Sequence, residues 1–149
     1  MDVFTVSLFG HRRIDDIRTI YDRLVPVIEN LILTKSYIEF FIGRNGEFDE
    51  CAASIIKQVQ KGSNRGNSDI NLILPYLVAD IEYYEKYYDN VIIPECLYGI
   101  HPKLAITMKN RWMVEQSDLV IVYVQQKNGG AYRVMKYAEK LNKEVINID

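Results

Sequence analysis

The sequence predicts an α/β fold of the doubly wound kind, a mainly parallel six-stranded sheet with helices on both faces, formed by residues 1–149 as a single domain. Three observations carry this expectation. Short β-branched or aromatic runs alternate with amphipathic helical stretches along the chain; the run Leu119–Val124 is apolar without the polar alternation of a half-exposed strand; and the first two strands stop at a glycine. With 149 residues, 48% hydrophobic and 26% charged, the chain has the material for one buried core, and no repeat, low-complexity segment or linker divides it.

The elements follow in order. Val3 to Phe9 is too short for a typical helix and stops at Gly10, as a buried strand does. Asp15 and Asp16 then precede Ile17, Ile20, Leu24, Val27, Ile28 and Leu31 at helical spacing, with Pro26 expected to kink or split the helix. Tyr37–Ile42 is the second strand, and Phe48–Val59 a helix packing Ala52, Ala53, Ile55, Ile56 and Val59. A loop over Gly62–Ser68 leads to strand Ile70–Leu74, which Pro75 terminates. Val78–Tyr88 reads as a helix carrying four tyrosines, Val91–Ile93 as a short strand, and Pro102 to about Gln116 as a helix packing Leu104, Ala105, Ile106, Met108, Trp112 and Met113. Strand Leu119–Val124, helix Gly130–Leu141 and strand Val145–Ile148 complete the chain.

Right-handed crossovers put every strand-to-helix turn at one edge of the sheet, where ligands of such folds bind. Three of these turns join glycine to polar or cationic groups: Gly10-His11-Arg12-Arg13, Gly43-Arg44-Asn45-Gly46 and Asn128-Gly129-Gly130-Ala131. Glycine lets backbone N–H groups approach a ligand, and a helix N-terminus favours an anion, so the arrangement suits phosphate. Arg12 and Arg44 are expected to pair with that phosphate through the guanidinium fork. Arg13 is equally well read as a partner of nearby carboxylates. His11 is either a phosphate donor or proton-transfer group, or a neutral imidazole capping the turn. Asp49 stands out as a carboxylate for a ribose hydroxyl, with a helix N-terminal role as the alternative. Arg111 reaches the Gly129-Gly130 turn only if its helix packs across the ligand edge.

Several function classes are excluded or disfavoured. Neither a P-loop nor a full G-x-G-x-x-G occurs, and no arrangement sets up Ser-His-Asp or Cys-His catalysis. His11 and His101 are far apart without ligand partners, so no metal site is expected, and no cofactor is implied. Cys51 and Cys96 cannot build a disulfide framework, which fits a reduced, cytoplasmic setting; Cys51 reads as packing. No signal-like leader and no apolar stretch of spanning length is present, so no membrane partner is expected. Eighteen Lys and Arg against twenty Asp and Glu give a net charge of −2, which lowers the expectation for nucleic acid without excluding a local basic cleft. Tyr83, Tyr84, Tyr87 and Tyr88 read first as core or dimer contacts and second as base-stacking platforms, and Trp112 shares the ambiguity.

Three stretches together resemble the SLOG superfamily, the Rossmann-like group that includes the Lonely Guy phosphoribohydrolases, the DNA-processing protein A domain and the YpsA-like proteins. Phe9-Gly10-His11-Arg12 is similar to the Gly-His-Arg turn of the YpsA-like branch, and Gly43-Arg44-Asn45-Gly46-Glu47-Phe48-Asp49 to its G-x-x-G-x-x-D turn. Asn110-Arg111-Trp112-Met113-Val114, then Ser117-Asp118, the apolar strand and Gly129-Gly130-Ala131, is similar to the third signature. The resemblance covers nearly the whole chain and is nearest to the YpsA-like branch. It implies a nucleotide or nucleotide-derived ligand at the Gly10, Gly43 and Gly129-Gly130 turns, and a homodimer. It does not imply a reaction: by position count Asn128, Tyr132, Arg133 and Lys136 replace the proline, glycine, threonine and catalytic glutamate of the Lonely Guy motif. Glu139, Glu115 and Glu95 are the carboxylates left to substitute, each more simply a surface residue, with Arg111 as the matching arginine.

Three functional readings result. The first is a cytoplasmic binding or sensor domain for a nucleotide-like phosphate ligand. The second is an N-glycosidic hydrolase acting on a nucleotide, which requires a carboxylate near the Gly129-Gly130 turn to stabilise an oxocarbenium ion. The third is single-stranded DNA binding, marked by steep salt dependence.

Overall fold

The computed structural model describes residues 2–44 and 46–149 and contains six strands and five α-helices. They are β1 (Val3–Gly10), α1 (Ile17–Thr34), β2 (Tyr37–Ile42), α2 (Glu47–Ser63), β3 (Ser68–Ile73), α3 (Ile81–Tyr87), β4 (Asn90–Ile92), α4 (Pro102–Gln116), β5 (Leu119–Tyr123), α5 (Gly130–Lys140) and β6 (Glu144–Asn147). A 3₁₀ turn, Glu95–Leu97, precedes α4. All five strand pairs are parallel, in the order β4-β3-β2-β1-β5-β6. The chain winds outward from β1 to β4 and then returns to β5 on the other side of β1. That reversal puts a topological switch point between β1 and β5.

The pleat divides the core in two, because successive side chains of a strand point to opposite faces. Val6 and Leu8 of β1 join Ile38, Phe40, Ile121 and Tyr123 beneath α1 and α2. Phe9 joins Phe41, Val120 and Val122 beneath α4 and α5. Strands covered on both faces have no solvent side, which is why β5 is buried at every position.

Some boundaries differ from the sequence expectation. Helix α1 runs unbroken through Pro26. Pro26 and Asp22 are both exposed, so the carbonyl that loses its partner faces water rather than the core. Helix α2 continues past Val59 until Asn64 takes a left-handed φ of 53° and returns its N–H to Gln60. Helix α3 starts at Ile81, with Val78 buried in the approach loop instead. In α4, Leu104 and Met108 are 62% and 37% exposed rather than packed. The buried stripe is Ala105, Lys109 and Met113 at i, i+4 and i+8, with Val114, and Leu104 and Met108 lie about 100° round from it.

The Ser117-Asp118 pair joins β5 to β1. Ser117 Oγ lies 2.6 Å from both Ser7 Oγ and the Met113 carbonyl, while Asp118 accepts from the Thr5 N–H at 2.9 Å and gives its own N–H to the Thr5 carbonyl at 2.8 Å. These bonds set the register of the two strands that flank the switch point.

Candidate ligand cleft at the switch point

A cleft of about 520 Å³ opens at the carboxyl edge of the sheet, above the ends of β1 and β2 and between α4 and α5. Its size is ordinary for a small-molecule site. Phe9, Ile106, Val114 and Val134 give it an apolar part, and Arg12, Lys109, Arg111 and Arg133 a cationic one. Asp49 is the one carboxylate among the described residues that line it.

The three glycine turns differ in what they do. A Cβ on Gly10 would stand 2.2 Å from Phe48 Cγ, so the first turn needs glycine for the packing of α2 on the end of β1. A Cβ on Gly46 would stand 2.5 Å from Arg12 Cα, and the Glu47 N–H donates to the Arg12 carbonyl at 2.8 Å. The second turn is therefore fastened to the first. Asn45 lies outside the described residues. At the third turn, Gly129 has φ of 89°, a conformation that suits glycine, and Gly130 has open space on its Cβ side.

Electrostatics singles out this third turn. Helix α1 is capped by Asp16, which accepts from the Thr19 N–H at 3.1 Å. Helix α2 starts with Glu47, Asp49 and Glu50, α3 carries Glu82 in its first turn, and α4 is capped by His101. Helix α5 has neither a side-chain cap nor an acidic first turn, and its first helical bond is Arg133 N–H to the Gly129 carbonyl. The amides of Gly130, Ala131 and Tyr132 thus have no acceptor within the helix, and the dipole adds positive potential there. Gly129, Gly130 and Ala131 all line the cleft.

Most of the residues singled out in the sequence converge here: Gly10, His11, Arg12, Gly43, Asp49, Arg111, Gly129, Gly130 and Ala131 form the wall. Others lie elsewhere. Arg44 is exposed, with its guanidinium 5.9 Å from the centre of the Tyr84 ring, and Asn128 and Arg13 are exposed outside the lining. Of the two readings of His11, the geometry is that of a turn cap: Nε2 accepts the Gln125 N–H at 2.9 Å and ties the β1 turn to the β5 turn. Nε2 must be unprotonated to accept this bond.

Arg111 does face the cleft, because α4 packs across the carboxyl edge of the sheet; its guanidinium sits 5.2 Å from the Tyr137 ring centre. Glu115 is outside the lining and accepts from the Tyr137 hydroxyl at 2.5 Å, a bond that raises the Tyr137 pKa. Glu95, on the exposed 3₁₀ turn, is outside the lining, and Glu139 pairs with Lys136 at 3.9 Å on the surface of α5. Tyr84 and Tyr88 pack on the core and Trp112 stacks on Phe41 at 5.5 Å, whereas Tyr83 is 67% exposed. Cys51 packs against the core, and its burial raises the thiol pKa.

The sequence reading missed Lys109, Asn110 and Arg133 as lining residues. Lys109 is the important omission: it is 2% exposed and burial lowers its ammonium pKa, partly opposed by the charge of Asp49. The signal was present in the i, i+4 stripe Ala105–Lys109–Met113, where a charge interrupts an otherwise apolar face.

The fold and cleft define the class as an open parallel α/β domain with a pocket at its switch point lined by Arg12, Lys109, Arg111, Arg133 and Asp49. No protein-family model and no curated protein matches the chain. Among solved structures it is similar to DNA processing protein A from Streptococcus pneumoniae, with TM-score 0.69 and 16% identity over 95% of this chain and 49% of that one. It is also similar to the single-stranded DNA binding DNA processing protein A from Helicobacter pylori, with TM-score 0.66 and 15% identity over 95% of this chain and 63% of that one. The chain therefore spans less than two thirds of the length of either protein. The likeness shows the fold, a Rossmann-like open parallel α/β domain. Among the described residues, no helix is long and apolar enough to cross a membrane.

Proposed function

We propose that this protein is a cytoplasmic binding or sensor domain for a nucleotide or nucleotide-derived phosphate, held at the carboxyl edge of the sheet by Gly10, Arg12, Asp49, Arg111 and the Gly129-Gly130-Ala131 turn. One observation carries the reading: the uncapped N-terminus of α5 opens into a cleft that concentrates Arg12, Lys109, Arg111 and Arg133 in a chain of net charge −2. The apolar wall of Phe9, Ile106, Val114 and Val134 suits a base, and the cationic end suits its phosphate. In this reading α3, with Tyr83 exposed, supplies the contact between two copies, and light scattering at micromolar concentration is expected to report a dimer.

A thermal-shift screen against nucleoside mono- and diphosphates, ADP-ribose and NAD tests the proposal. A ligand at 100 times its Kd stabilises the native state by roughly 2.7 kcal/mol. Arg12→Ala and Gly130→Asp are expected to abolish the shift without unfolding the protein. No shift with any of these compounds contradicts the reading.

A second reading rests on Asp49, which supplies the carboxylate that hydrolysis of an N-glycosidic bond requires. Release of free base from a nucleoside monophosphate, lost in Asp49→Asn, would favour it over simple binding. A third draws on the fold shared with a single-stranded DNA binding protein. Its mark is an affinity that falls steeply with salt, beyond the single-phosphate slope expected of a mononucleotide.

A further inference from the structure

Among the described residues Lys109 is the one buried lysine, 2% exposed at the centre of the packing stripe of α4. Other lysines have settled contacts: Lys35 and Lys57 lie over the rings of Phe4 and Tyr87, and Lys143 donates to the Glu115 carbonyl. The Lys109 Nζ has neither a hydrogen-bond partner nor an ion pair among the described residues. It is not sealed in either: Asn67 Oδ1 is the one fully enclosed side-chain polar atom without a partner among them, so Lys109 keeps its small exposure at the tip. That tip lies at the end of β2, 2.9 Å from where a Cβ on Gly43 would stand, and Lys109 belongs to the cleft wall.

A primary amine in this position is a nucleophile as well as a cation. Burial lowers its pKa, opposed by the charge of Asp49 and reinforced by that of Arg44, so more of it is unprotonated at neutral pH than of a surface lysine. Amines desolvated in this way form Schiff bases with carbonyl compounds. The nitrogen adds to the carbonyl carbon, the carbonyl oxygen leaves as water with both amine protons, and a C=N bond joins the ligand to Nζ; nothing is oxidised or reduced. The sugar of a nucleotide offers no carbonyl, because its anomeric carbon is held in the N-glycosidic bond. An aldose phosphate offers one in its open-chain form. Its phosphate has a separate place, at the α5 amides beside Arg111 and Arg133.

We propose that Lys109 is a Schiff-base lysine, through which the cleft captures an aldose phosphate, the sugar phosphate left when a nucleotide loses its base, as a reversible imine at Nζ with the phosphate at the start of α5. This rests on the phosphate-binding reading above and deepens it by naming a carbonyl-bearing ligand. The class of reaction that supplies such a ligand is cleavage of an N-glycosidic bond, here or in another protein.

The test is incubation with D-ribose 5-phosphate or D-ribose and cyanoborohydride, which reduces an imine to a stable secondary amine, followed by peptide mass spectrometry. Adduct at Lys109 is read relative to adduct at the exposed Lys86 and Lys103, which corrects for the different open-chain content of the two sugars. With ribose 5-phosphate that ratio is about tenfold higher than with ribose, the scale of one hydrogen bond to a charged group. Arg12→Ala and Gly130→Asp each bring the two ratios to within about twofold of one another. The adduct is read on the wild type, so no variant of Lys109 has to fold. Absence of adduct at Lys109, where calorimetric titration shows nucleoside 5′-monophosphates binding, overturns the Schiff base while the phosphate reading stands. Equal ratios for the two sugars, or neither adduct nor calorimetric binding, overturn both.

Discussion

A methyl group at position 10 and one at position 130 have opposite consequences. Gly10→Ala drives a Cβ to 2.2 Å from Phe48 Cγ, where the stacked Phe48 and Tyr123 rings leave little room to yield. Overpacking of this kind is expected to cost about 1–3 kcal/mol, read as a lower urea midpoint. Gly130→Ala meets nothing within 4 Å and is expected to leave the midpoint within about 0.5 kcal/mol of wild type. Lys109 allows a prediction of sign. Burial lowers its pKa below the ordinary lysine value of 10.5, so between the lowered value and 10.5 the unfolded chain binds more protons at this residue than the folded one. Stability from this group therefore rises with pH across that window, because below it the folded state bears the full cost of the buried charge. Urea melts should show the wild type gaining on Lys109→Met as the pH is raised toward 10.5, and a constant difference would contradict the burial of a charged lysine. The tyrosines, Tyr37 among them with its pKa raised to about 12, titrate in both proteins and cancel in the comparison. At this scale the sequence showed the glycines, Asp49 and Arg111 through their place in turns and motifs. It concealed Lys109, because a lysine in a helix reads as solvated until the sheet that covers it is known.

At the scale of elements, the three glycine turns look alike in sequence and divide in the fold. Two of them close the packing of α2 against β1, and the third leaves the N-terminus of α5 open. What separates them is the company each keeps: acidic residues follow Gly46, whereas Ala131, Tyr132 and Arg133 follow Gly130. That difference was visible in the chain, but its meaning depended on which helix end faces the cleft. Helix boundaries were less legible for a related reason. Pro26 is tolerated because its side of α1 faces water, and Leu104 and Met108 are exposed because the packing stripe passes one residue later. The Ser117-Asp118 pair, met in the sequence as part of a signature, is a clasp between strands. Ser117→Ala removes a buried hydroxyl from its contacts with Ser7 and Met113 and is expected to cost about 1 kcal/mol. If the clasp is purely structural, ligand affinity in this variant stays unchanged in the same titration.

For the whole molecule, alternation of strands and helices and the unbroken apolar run of β5 were enough to read a doubly wound sheet. The strand order was not legible, since no local pattern says on which side of β1 the chain resumes after β4. That single choice creates the switch point and brings His11 to Gln125 and α4 to α5. It also explains how a chain of net charge −2 holds a cationic pocket: the charges are spread along the sequence and gathered by topology. In the proposed function an anionic ligand sits at the open end of α5. An amide-resolved NMR titration of the ¹⁵N-labelled protein with nucleoside 5′-monophosphates tests it most directly. Saturable shifts concentrated at Gly129, Gly130, Ala131 and Tyr132 are expected, with smaller ones at Gly10, His11 and Arg12. Shifts confined to the opposite edge of the sheet or to the tyrosines of α3, or none at millimolar ligand, would contradict it.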